Sequence, residues 1–172
     1  MANTYTLISS YTAGSGGTTA FDFTSIPSTY TDLLLVYSVR ESQSAAMLDL
    51  NFYFNNSTSG YSERMLYGTG SAAASANTSG GLFNWGVGTG SSATANSFAS
   101  GQLYISNYAG SSNKSLIGDY VGETNATAAN AQLHAGLWSN SAAITSIQIK
   151  PQSSTGTLVQ YSSAYLYGIK NS

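Results

Sequence analysis

The segment from Met47 to Asn55 constrains the fold of this chain more than any other. Leu48, Leu50, Phe52 and Phe54 alternate with Asp49, Asn51 and Tyr53. A period of two sends successive side chains to opposite faces of an extended backbone. The pattern therefore predicts a strand whose four apolar side chains, Leu48 among them, lie on one buried face. Shorter runs repeat it. Phe21 and Phe23 flank Asp22, Ile147 and Ile149 flank Gln148, and Tyr165, Tyr167 and Ile169 alternate with Leu166 and Gly168. The run from Leu33 to Val39 is apolar on both faces at its start, which predicts a central strand buried on both sides.

Polar, glycine-containing stretches at 13–17, 57–60, 109–113 and 153–156 separate these runs and read as turns. Strands are predicted near 4–11, 19–25, 32–40, 46–55, 62–67, 81–86, 98–107, 115–122, 132–138, 143–150 and 160–169. About ten short strands at this spacing predict a single all-β domain over 1–172, an antiparallel β-sandwich or barrel. No segment sustains a helical period, although 126–131 suits one helical turn. The least regular region is 68–97, where two long loops, 68–81 and 86–97, are predicted around the short apolar patch Leu82-Phe83-Asn84-Trp85.

Composition narrows the function classes. Only 7% of residues are charged, against about a quarter in an average soluble protein. The chain nevertheless carries 13 Tyr, 6 Phe and 2 Trp, and a disordered chain lacks such rings. No apolar run approaches the roughly 20 residues that span a bilayer as a helix. Five Lys and Arg with a net charge of −2 build no phosphate-tracking stripe, so no nucleic-acid partner is expected. With no cysteine there is no disulfide framework. That absence leads us to expect assembly in a cytosol, and the start of the chain lacks the basic and apolar regions of a signal peptide.

No catalytic or cofactor-binding residue is expected. His134 is the one histidine; it lies near Leu133, Leu137 and Trp138 in a strand-like run and reads as structural. No Gly-x-Ser-x-Gly elbow is present. One His and no Cys make a metal centre unpromising, and no Asp-rich loop suggests calcium. Asp119 and Glu123 fall on one face of a predicted strand, two pleats apart. They would suit a carboxylate pair, but a solvated strand face explains them as well. Asp32 reads as a turn residue, and Asp49 as a cross-strand partner of Arg40 or Arg64. Gly86-x-Gly88-x-Gly90 lacks the lysine and helix of a phosphate loop and reads as a turn-rich segment.

The tyrosines carry the positive signal. On outward faces they offer area and a hydroxyl at low entropic cost, which suits interfaces and also sugar rings. Tyr53, Tyr61, Tyr67, Tyr104, Tyr108 and Tyr120 are the interface candidates, with core packing the competing explanation. The first strand, Tyr5 to Tyr11, and the last, Tyr161 to Ile169, carry few charges. At exposed edges they would invite pairing with a neighbour, which a closed symmetric oligomer satisfies.

Three stretches add a resemblance: Tyr5-Thr6-Leu7-Ile8-Ser9-Ser10, Phe23-Thr24-Ser25-Ile26-Pro27-Ser28-Thr29-Tyr30-Thr31-Asp32-Leu33-Leu34-Leu35, and Ala164-Tyr165-Leu166-Tyr167-Gly168-Ile169. Together they resemble small virion proteins of tailed bacteriophages, especially those of marine and freshwater bacteria and cyanobacteria. Such proteins are capsid decoration (cement) proteins or tail-fibre and receptor-binding proteins. The resemblance implies a jelly-roll-like sandwich, a location on the virion capsid surface after assembly in the host cytoplasm, and no enzymatic residues. Its partners would be the chain itself, as a homotrimer, and the major capsid protein. This chain has no fibre shaft and no heptads, which favours decoration. A tail-fibre protein recognising a host-surface glycan is the second expectation, and a carbohydrate-active enzyme or free lectin a third.

Overall fold

The computed structural model describes residues 4–79, 83–125 and 129–170, with the backbone alone at 83–85. The fold is all-β. Twelve strands are described: β1 (Tyr5–Thr12), β2 (Phe21–Phe23), β3 (Asp32–Val39), β4 (Met47–Phe54), β5 (Tyr61–Gly68), β6 (Ala73–Ser79), β7 (Phe83–Thr89), β8 (Ala99–Ile105), β9 (Lys114–Glu123), β10 (Ala129–Trp138), β11 (Ile147–Pro151) and β12 (Ser163–Ile169). They form an eight-stranded sheet, in the order β1-β12-β3-β8-β9-β10-β5-β6, and a four-stranded sheet, in the order β2-β11-β4-β7. Every strand pairing is antiparallel.

The core lies between the sheets and is built from alternate residues of each strand. Leu33, Leu35, Tyr37 and Val39 of β3, with Leu103 and Ile105 of β8, meet Leu50, Phe52 and Phe54 of β4. Phe21 and Phe23 of β2 and Ile147 and Ile149 of β11 complete it. Rings run along its length. Tyr37 stacks on Tyr120 at 5.9 Å between centroids, and Phe52 lies 6.0 Å from Tyr37. Further along, Trp138 stacks on Tyr61 and lies 5.6 Å from Phe54. Gly101 makes room for the Tyr pair: a β-carbon there would come within 2.3 Å of the Tyr120 ring.

The three stretches that carry the resemblance meet in space. β1 pairs with β12, which pairs with β3. The Thr31 N–H donates to the Ile169 carbonyl at 2.7 Å. The Tyr30 ring lies directly over Gly168, where a β-carbon would come within 2.3 Å of it. Asp32 then ties β3 to the turn after β8. Its Oδ1 accepts the Asn107 N–H at 2.8 Å and its Oδ2 accepts the Tyr104 hydroxyl at 2.6 Å. Asp32 is thus a bracing residue, buried at the start of a strand.

Several expectations are corrected. Leu50, Phe52 and Phe54 are fully buried, but Leu48 is only half-buried and packs against Gly90. A register shift between Asp49 and Asn51 in the β4–β7 pairing breaks the strict alternation there. Residues 68–81 are not a loop throughout, because β6 occupies Ala73–Ser79 and pairs with β5 along its whole length. β7 likewise runs on to Thr89, so the second loop begins after it. β12 is no edge; it lies between β1 and β3. Leu33 and Leu35 are buried, but Leu34 and Val36 on the other face of β3 are only half-buried. Ala129 to Ala131 open β10, and the rest of the predicted helical turn, 126–128, lies outside the described residues.

Candidate functional site

The face of the eight-stranded sheet turned away from the core is covered by no other element among the described residues. Strand register brings its side chains into rows. One row runs Leu7, Tyr167, Leu34, Tyr104, Ile117, Ala135, Arg64 across seven strands. The next runs Ser10, Tyr165, Val36, Gln102, Asp119, Leu133, Leu66. Most of these side chains are apolar or aromatic. Leu66, Ile117, Val121 and Leu133 are 52–62% exposed and cluster on β5, β9 and β10. Around them the face is hollowed. A depression of about 690 Å³ lies along Leu66, Ala74, Val121 and Leu133, and one of about 400 Å³ along Leu66, Ala76, Ile117 and Leu133. Contiguous apolar patches are a feature of protein and membrane contact surfaces and of ligand grooves. Full burial of a Leu or Ile side chain there would contribute roughly 2 kcal/mol.

Charge on this face is sparse. Arg64 and Asp119 lie within the rows, and Glu123 stands at the end of β9. Asp119 accepts a hydrogen bond from Gln102 Nε2 at 2.8 Å, and Glu123 Oε1 accepts the Asn125 N–H at 2.7 Å. Both carboxylates are exposed on one face, as the strand period requires, and each is engaged with a neighbour. Both free edges of the sheet, β1 and β6, lack charged residues and proline. β1 carries a register shift between Leu7 and Ser9, which disrupts its ladder. β6 pairs with β5 without a shift and is exposed along nearly its whole length. It is therefore open to pairing with a further strand.

Four of the six interface candidates are corrected. Tyr53, Tyr61, Tyr108 and Tyr120 are buried, the last two completely. Tyr61 donates to the Ser57 carbonyl and accepts the Phe54 N–H, and Tyr108 donates to the Pro27 carbonyl. Burial pushes the Tyr61 hydroxyl up to about 12. Tyr67 and Tyr104 are half-buried. Tyr104 lies on the outer face with its hydroxyl on Asp32, and that bond, before desolvation, raises it to about 12. The outward-facing residues Leu66, Ile117, Val121, Leu133 and Tyr165 are absent from the candidates. Period-two reading assigns their strands correctly but cannot choose the buried face when both faces are apolar.

The interior holds a set of polar groups. His134 is buried, with Nδ1 3.7 Å from Glu63 Oε2, Nε2 2.8 Å from Gln132 Oε1, and its ring edge-on to Tyr120. Glu63 Oε1 accepts the Thr78 hydroxyl at 2.8 Å. The histidine thus fastens β10 to β5 and β9. Among the described residues no three His, Cys, Asp or Glu side chains come together as metal ligands. Arg40 and Arg64 do not pair with Asp49, contrary to expectation. Arg40 instead donates to the carbonyls of Thr94 and Ser97, each at 3.0 Å, and so holds the 90–98 loop. Arg64 donates to the Glu63 carbonyl. Lys114, missed in the sequence, is buried with its ammonium on the Gly110 and Ser112 carbonyls. Desolvation lowers its pKa.

No protein-family model matches this chain, and no curated protein matches it.

Proposed function

We propose that this chain is a viral structural protein, a capsid decoration (cement) protein that docks the outer face of its eight-stranded sheet onto the major capsid protein. The observation that carries the reading is the exposed apolar surface of Leu66, Ile117, Val121 and Leu133 on a low-charge sheet. Such a surface is complementary to another protein rather than to a nucleic acid or a phosphate. The resemblance of the Tyr5–Ser10, Phe23–Leu35 and Ala164–Ile169 stretches to virion proteins supports the capsid protein as that partner. The uncharged β6 edge supports self-association, and we assign a homotrimer in which edges meet across a closing rotation. Many docked copies stabilise a shell by mass action.

The strand path supports a jelly-roll-like description of the sandwich. The small sheet, β2-β11-β4-β7, interleaves with the large one as the chain crosses repeatedly between them. A tail-fibre or receptor-binding role is the second reading, favoured by the polar pocket described below. Copy number separates the two. Quantitative mass spectrometry of purified particles should find hundreds of copies per virion. A few, or a few dozen, would move the chain to the tail.

A further inference from the structure

The opposite side of the molecule has different chemistry. On the outward face of the four-stranded sheet, Asp22, Gln148 and Tyr53 are register neighbours on β2, β11 and β4, with Lys150 beside Asn51 in the next pair. The 152–156 turn and Thr19-Ala20 wall this face into a pocket of about 500 Å³, lined mostly by polar atoms. Gln148 Nε2 donates to Asp22 Oδ1 at 2.6 Å. The Lys150 ammonium sits 4.7 Å from the centre of the Tyr53 ring. Lys150 and Asp22 both line the pocket and form no ion pair with each other. Beneath them Asn51 donates to the Tyr53 hydroxyl at 3.2 Å, while its own Oδ1, in a side chain 4% exposed, has no hydrogen-bond partner among the described residues.

We propose that this pocket binds a saccharide. Its donors and acceptors are interleaved: a carboxylate, three primary amides, an ammonium and the hydroxyls of the 152–156 turn. Vicinal sugar hydroxyls both donate and accept, and they match such a mixture. An apolar ligand finds too little apolar wall. A phosphate meets one lysine against one carboxylate, too weak a positive field to hold it. An unsatisfied buried carbonyl oxygen such as Asn51 Oδ1 is costly unless a donor reaches it. A bound hydroxyl that reaches Asn51 Oδ1 supplies that donor. The pocket lies on the face away from the apolar surface, so the two contacts do not compete. Sugar binding therefore stands independently of where on a particle the chain is located.

Saturation-transfer NMR with glucose, galactose, mannose and N-acetylglucosamine, each at several millimolar, tests this on the isolated full chain. At least one sugar should receive saturation, and Asp22→Asn and Lys150→Ala should each weaken its binding at least tenfold, with unchanged thermal melting. Amide shift mapping on the unmodified protein needs no variant. It should place the perturbed amides on β2, β11 and the 152–156 turn. Absence of transfer to all four sugars overturns the proposal, as does binding retained in both variants or shifts confined to another face.

Discussion

Glu41 is enclosed beside Gly88, 1% exposed, and neither carboxylate oxygen has a hydrogen-bond partner among the described residues. Desolvation, with a smaller contribution from Asp49, raises its pKa to about 8. The folded state therefore keeps a proton that the unfolded chain releases near pH 4.5. Stability should fall as pH rises from about 4.5 to about 8 and level off above that, by at most about 1.4 kcal/mol per pH unit. Thermal melts across this window should show the slope in the wild type and lose it in Glu41→Gln. Parallel curves would contradict the assignment. Two stacked tyrosines give a second comparison. The Tyr37 hydroxyl accepts the Val87 N–H at 3.0 Å and donates to the Val87 carbonyl at 3.3 Å, whereas the Tyr120 hydroxyl has no partner among the described residues. Tyr37→Phe strands two buried backbone groups and should cost about 1–3 kcal/mol, while Tyr120→Phe should be neutral or stabilising. Denaturant melts of the two variants decide this, and equal losses would contradict it. None of these bonds is legible in the sequence, because each joins residues brought together only by the sandwich.

Strands were legible where burial writes a period into the sequence. β2 and β11 show it because each has one apolar face in the core and one polar face that is at least partly exposed, and β4 shows it in residue type although Asn51 and Tyr53 on its polar face are buried too. β6 does not. Its Ala, Ser, Asn and Thr residues are nearly all exposed, and its ladder with β5 rather than side-chain burial holds it. The outward face failed for a related reason. In β9, Leu116 and Tyr120 point inward beside Gly118 and Gly122, while Ile117 and Val121 point outward. The outward face mixes Ile117 and Val121 with Asp119 and Glu123, so apolarity alone does not mark the buried side; on the inner face Gly118 clears space for the Tyr120 ring and Gly122 for the Met47 side chain. The edge has its own test. Ala74→Lys on β6 adds a charge to an exposed position and should change stability by less than about 0.5 kcal/mol. Sedimentation velocity should show it converting an oligomer to monomers. An unchanged sedimentation coefficient would remove β6 from the subunit contact.

The whole molecule presents two unlike faces, an apolar one on the large sheet and a polar, pocketed one on the small sheet. The sequence conveyed the class of fold and the scarcity of charge, but not this polarity, which depends on how two sheets divide twelve strands. Leu66→Asp combined with Leu133→Lys places two charges in the middle of the apolar face, with signs alternating along the row from Asp119, without touching the core. Both side chains are more than half exposed, so melting should hold while binding to particles stripped of this protein falls at least a hundredfold in a co-sedimentation assay. Retained binding would clear this face of the contact. The most direct measurement is an electron cryomicroscopy map of intact particles at a resolution that separates the sheets. The density for this chain should cover the head, with the eight-stranded sheet against the shell and the four-stranded sheet towards solvent. A bare head with density at the tail tip, or the four-stranded sheet against the shell, would contradict the proposed function.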